Sequence, residues 1–139
     1  MKKILFLLLF VSNFAFAQDF EYTYKVQAGT WNKYQEKWDW DPVKDQEIKI
    51  KLDGSKVYIY NNANTVITTY EDLGEKSGYD DDNDAYKTHS WLAVDDKRRK
   101  CRFVMTWYSD IPLIVYTVIY NDIGFRFYIR NNKLSNFGI

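Results

Sequence analysis

Few residues of this chain have the type and spacing to do chemistry. Asp80, Asp82 and Asp84 alternate within the run Asp80-Asp81-Asp82-Asn83-Asp84, as oxygen ligands do in some calcium loops. Ala85, however, stands where such a loop needs its turning glycine, and Trp91 where it needs a closing glutamate. The run therefore reads as a solvated acidic loop, and no metal is assigned to it. His89 is the only histidine, which excludes a centre built from several histidines and obliges any nucleophilic triad to use this one. It lies between Thr88 and Ser90, and no G-x-S-x-G elbow occurs in the chain. With 19 acidic residues, no carboxylate pair of the glycosidase kind stands out. No catalytic residue and no cofactor is assigned, and a small hydrolase using His89 remains the enzymatic alternative.

Aromatic residues are the more unusual feature, with 5 Trp and 12 Tyr in the chain. Trp31, Tyr34, Trp38 and Trp40 fall close together, and exposed rings on a rigid sheet can stack on sugars or anchor a partner. If residues 31–40 form one regular strand, Trp31 lies on the face opposite Trp38 and Trp40. Trp31 is then the exposed ring and the other two belong to the core. A helix capped by Thr30 would instead bring Trp31, Tyr34 and Trp38 together. The strand is favoured, because its neighbours read as strands and tryptophan packs well on a pleated surface.

The elements that must position these residues are short β-strands. Val, Ile, Thr, Tyr and Trp recur at period two, a pattern of half-buried strands. Strands are expected at residues 20–28, 45–52, 57–60, 65–70, 87–94, 100–108, 113–120 and 125–130. A hairpin is expected at Asp53-Gly54, a turn at residues 61–64 and a long acidic loop at residues 71–86. Short connections force antiparallel neighbours. The expected fold is thus all-β, a single antiparallel meander of about eight or nine strands forming a small barrel or a two-sheet sandwich. Residues 113–119 are apolar on both faces and should lie centrally. Cys101 alternates with Phe103, Met105 and Trp107, so the lone thiol reads as a small buried hydrophobe. Lys97, Arg98, Arg99, Lys100 and Arg102 read as a solvated hairpin tip, with a site for an anionic partner as the sharper alternative.

At the N-terminus, Lys2 and Lys3 precede an apolar run that ends in Ala15-Phe16-Ala17, the three parts of a secretion signal. Ser12 and Asn13 interrupt that run too early for a membrane-crossing helix. Residues 1–17 are expected to be cleaved, leaving residues 18–139 as one exported β domain, periplasmic or extracellular. Loss of Lys2 and Lys3 turns a formal charge of zero into −2, which gives no reason to expect a nucleic-acid binder.

Gly29-Thr30-Trp31 resembles the G-x-W opening of the lipocalin and fatty-acid-binding-protein (calycin) superfamily. Arg126-Phe127-Tyr128 resembles the R-x-Y on the last strand of its fatty-acid-binding branch. The resemblance implies a barrel carrying a small apolar or carboxylate ligand, with Arg126 and Tyr128 holding the carboxylate. The local pattern reads differently: Phe125, Phe127 and Ile129 form the apolar face, leaving Arg126 and Tyr128 on the outer one. The preferred reading is an exported, non-catalytic binding or interaction domain. Its contact surface draws on Trp31, Tyr34, Trp38, Trp40, Arg126 and Tyr128, and its partner is a small molecule, glycan or protein.

Overall fold

Alternating β-branched and aromatic residues with few interior breakers leave extended pairing as the way to bury one side of each segment. A computed structural model describes residues 20–61 and 63–130; the expected signal segment, residues 1–17, lies outside them. Ten strands follow in order: β1 (Glu21–Asn32), β2 (Lys37–Trp40), β3 (Lys44–Asp45), β4 (Lys49–Asp53), β5 (Lys56–Tyr60), β6 (Thr65–Tyr79), β7 (Ala85–Asp95), β8 (Lys100–Tyr108), β9 (Leu113–Ile119) and β10 (Ile123–Arg130). No helix among the described residues is long and apolar enough to cross a membrane.

All strands belong to one antiparallel sheet, and pairing of β10 with β1 closes it into a ring. This is the all-β meander expected from the sequence, closed on itself rather than split into two sheets. One edge of β1 pairs with β10; the other pairs in succession with β2, β3 and β4. These three short strands are one returning arm, interrupted twice. Gly29 faces Trp40, Val26 faces Lys44 and Tyr22 faces Lys49, so the arm gains one residue on β1 at each break, as at a β-bulge. Backbone bonds from Asp41 N to Ala28 O and from Gln46 N to Tyr24 O span the breaks. The Thr23 hydroxyl donates to Gln46 O and accepts from Ile48 N, both at 2.8 Å.

The ring is uneven. β1 meets β4 only at Glu21 and Tyr22, whereas β6 and β7 pair along almost their whole length. Inward residues form one core that includes Ile50, Val57, Ile59, Ile67, Ala93, Phe103, Tyr116, Val118, Phe127 and Ile129. Inside it, the Tyr116 hydroxyl donates to Glu21 at 2.8 Å. β9 lies between β8 and β10 and is buried on both faces, as its two-sided apolar sequence requires. Cys101 is buried, and burial pushes its thiol up to about 11, so it stays protonated and unreactive near neutrality.

Two expectations are corrected. Residues 31–40 are not one strand: β1 continues to Asn32, residues 33–36 turn, and β2 returns. The Asn32 carboxamide oxygen accepts from the backbone N–H of Tyr34 and Gln35, and Glu36 adopts φ +52°. This side-chain turn competes successfully with strand continuation. The expected acidic loop at residues 71–86 is mostly strand, the outer part of a long β6–β7 hairpin. Register shifts around Tyr70 and Leu73, with Gly74 at φ +89°, break the period-two pattern that would have marked β6. The Asp53-Gly54 hairpin is present, with only Gly54 of its two turn residues at positive φ, the pattern of a type II′ turn.

Asp95 fastens the β7–β8 tip. Its carboxylate accepts from Lys97 N and Arg99 N, from the Arg99 guanidinium at 2.8 Å and from the Tyr120 hydroxyl at 2.9 Å. Burial pushes its acidity the other way, but these donors prevail and hold it below its ordinary 3.8. Its contribution to stability is therefore complete above that ordinary value and is lost as the pH falls through the lower folded-state value. Asp95→Ala is expected to cost about 1–3 kcal/mol. Asp95→Asn should flatten the acid limb of stability against pH; urea melts across an acid pH series check both.

Candidate functional site

Three of the four clustered aromatic residues singled out from the sequence, Trp31, Trp38 and Trp40, converge on the outer face of the β2–β1–β10 seam. Because residues 33–36 turn, Trp31 pairs directly with Trp38 and shares a face with it, contrary to the expected opposition. Gly29 faces Trp40 across one edge and Gly124 across the other. That glycine pair makes a shallow bed for indoles: a Cβ on Gly29 would lie 2.6 Å from the Trp40 ring, and one on Gly124 would lie 3.2 Å from it. Trp38 and Trp40 stack at 5.6 Å between centroids, and Trp31 meets Trp38 edge-on at 5.7 Å. The Arg126 guanidinium covers Trp40 at 3.7 Å, a cation–π contact that also screens the indole from water.

Arg126 and Tyr128 lie on the face opposite Phe125, Phe127 and Ile129, as the alternation requires, but both are half-buried. Each donates to the Gln27 carboxamide oxygen, at 3.3 and 3.0 Å, while Gln27 donates to Asp41 O at 2.7 Å. Trp38 and Trp40 are thus half-buried on the outer face rather than in the core, because the turn reverses the chain before they are reached. Trp31 is 39% exposed and Tyr34, on the turn, 89%; Tyr34 stands apart from the stacked rings.

A second feature lies inside the ring. A cleft of about 470 Å³ opens where residues 41–46 cross the end of the sheet beside the turn after β5. Val26, Ile48, Ile59, Ile67, Val118 and Phe127 give it an apolar floor, and Lys44, Gln46, Asn61, Arg99 and Tyr120 line its more polar part. Gln27 and Arg126, from the two seam strands, also touch it. Sequence reasoning missed the cleft because its lining comes from segments far apart in the chain. The broken arm, signalled only by Asp41-Pro42, is what leaves it open.

His89 Nε2 lies 2.6 Å from Asp72 and Nδ1 3.5 Å from Glu75, with the ring stacked on Trp91 at 4.2 Å. Asp72 is held below its ordinary range first by the Gly74 backbone N–H and then by His89. No serine, threonine or cysteine bonds His89 among the described residues. The Asp80, Asp82 and Asp84 carboxylates come within 4.8 Å of one another, and Asp80 already accepts from the backbone N–H of Asp82 and Asp84. In the basic cluster, Arg99 is committed to Asp95 and lies over Tyr120 at 4.8 Å.

No protein-family model, curated protein or solved structure matches this chain.

The glycine bed makes a sharp energetic test. Gly29→Ala is expected to destabilise by about 1–3 kcal/mol by pushing Trp40 off the sheet. In a Trp40→Ala background the same change should be neutral or stabilising, since alanine orders a strand better than glycine. A double-mutant cycle by chemical denaturation measures the coupling.

Proposed function

We propose that the chain is a non-catalytic binding protein whose ligand, a small and mostly apolar molecule with a polar end, seats in the cleft at the end of the ring. The observation that carries this reading is the cleft itself, because ligand sites commonly combine a few hundred cubic ångströms of apolar lining with a few polar groups. Here the volume is about 470 Å³ with an apolar floor. The calycin resemblance agrees with a ligand carried inside a closed sheet. Arg126 and Tyr128, which that resemblance implies as carboxylate holders, are tied to Gln27 and Trp40. Lys44, exposed and without a carboxylate partner among the described residues, is the better placed cation for an anionic end.

A contact surface built on Trp31 is the second reading, favoured by the exposure of that ring beside stacked neighbours. Trp40 serves it less well, since Arg126 already covers its outer side. The hydrolase alternative gains little, because both nitrogens of His89 face carboxylates and neither faces a nucleophile.

The test is titration with 1-anilinonaphthalene-8-sulfonate, an apolar fluorophore with one anionic end. Saturable binding at one site is expected. Ala28→Trp, which sets an indole into the cleft from β1, should weaken it by about tenfold or more, while Trp31→Ala leaves it unchanged. Unaltered binding by a folded Ala28→Trp variant would sink the cleft reading; loss on Trp31→Ala would transfer the site to the outer rings.

A further inference from the structure

The outer face of β4 and β5, away from both features above, carries a regular pattern of its own. Ile50 faces Ile59 and Leu52 faces Val57 on the inner side; between them Lys49 faces Tyr60, Lys51 faces Tyr58 and Asp53 faces Lys56 on the outer side. The rows continue into the neighbouring strands, Tyr22 lying opposite Lys49 and Val66 opposite Tyr58. Tyr58 and Tyr60 stack nearly parallel, 6.3 Å apart with 12° between their planes. Phe20 closes one end, edge-on to Tyr60 at 5.7 Å.

Two of the three ammonium groups, those of Lys49 and Lys51, are held by rings rather than by acids. Lys49 Nζ lies 4.2 Å from the Phe20 centroid and 5.2 Å from that of Tyr60, and Lys51 Nζ lies 5.8 Å from Phe20 and from Tyr58. No carboxylate of a described residue pairs with Lys49, Lys51 or Lys56; Asp53, the one acid in these rows, sits at the hairpin end. All three are thus left to meet an outside partner, and for Lys49 and Lys51 the ring beneath restricts motion and lowers the cost of ordering the side chain on binding. In a chain of zero formal charge, this concentrates positive potential on one strip.

We propose that the Lys49–Lys51–Lys56 strip, with Tyr58, Tyr60 and Phe20, binds an anionic polysaccharide. Charge complementarity sets the sign of the partner. The chemistry of the strip sets its class: the Phe20 and Tyr60 faces carry an ammonium and are not open platforms for nucleobases, which bind by stacking on bare rings. What it offers outward is a row of ammoniums and phenol hydroxyls, donors suited to carboxylates or sulfates and to sugar hydroxyls. The strip spans two adjacent strands, with Lys49 and Lys51 about 7 Å apart along β4 and Lys56 on β5 opposite Asp53, a spread of charge that matches an extended polymer better than a compact ion. It shares no residue with the cleft.

The probe is a fluorescein-labelled heparin dodecasaccharide, followed by anisotropy at low ionic strength. Saturable binding that weakens with added salt is expected. The triple change Lys49→Gln, Lys51→Gln and Lys56→Gln should lower affinity by about tenfold or more. The triple change Lys37→Gln, Lys76→Gln and Lys87→Gln removes the same charge elsewhere and should lower it by less than about twofold. Unchanged melting curves show that each variant is folded, and Tyr58→Ala alone supplies a milder test should the first triple variant fail to fold. Equal losses in the two triple variants, or no saturable binding by the parent protein, would overturn the proposal. So would tighter binding of a single-stranded DNA of matched charge or of anionic phosphatidylglycerol vesicles, which would give the strip to a different partner.

Discussion

Pairing of β1 on both edges is the constraint on which the other features depend. A sheet of this length, left open, would expose two strand edges whose N–H and C=O groups invite another chain. Here β10 takes one edge of β1 and the returning arm takes the other. Closure draws Val26 and Phe127 to the same interior and sets Gly29 opposite Gly124 outside. The cleft and the indole bed are thus two faces of one seam, and a change in that seam's register would move both.

The arm shows how a ring can close and still stay open at one end. A continuous strand opposite β1 would have placed a side chain into the cleft at every second residue. Two bulges carry part of the arm away, and the backbone polar groups released there must find other partners. Thr23 supplies one solution, its hydroxyl standing between Gln46 O and Ile48 N; the Gln27 carboxamide supplies another at Asp41 O. The stacked tryptophans then weight the hairpin onto β10, so the start of the arm is held by aromatic packing as well as by its pairing with β1.

Polar groups inside the ring are paired with the same economy. Tyr116 reaches Glu21 and Tyr120 reaches Asp95, so both of these hydroxyls have an acceptor and both acids a donor, as an interior of low polarity demands. Tyr120 is also pressed against Arg99, linking the β7–β8 tip to the cleft lining. The basic run at that tip is therefore partly structural, whereas Lys49 and Lys51 rest on rings and keep their charge for the solvent side.

Sequence alone determined most of the segments that pair as strands and which side of most of them is buried. Period two is a local property: Ile48 and Ile50, Cys101 and Phe103, and Phe127 and Ile129 each announce an inward face without reference to any partner. It also set Arg126 and Tyr128 outward, and two-sided β9 in the interior of the sheet. Tertiary structure decided what local pattern cannot carry. The relation of Trp31 to Trp38 hung on a four-residue turn that reverses the chain. The strand character of residues 71–79 hung on a partner, β7, because bulges erase its periodicity. The cleft, the glycine bed and the lysine–tyrosine strip arise only when segments distant in sequence are brought into register, since each is a property of the spacing between strands and not of any one of them.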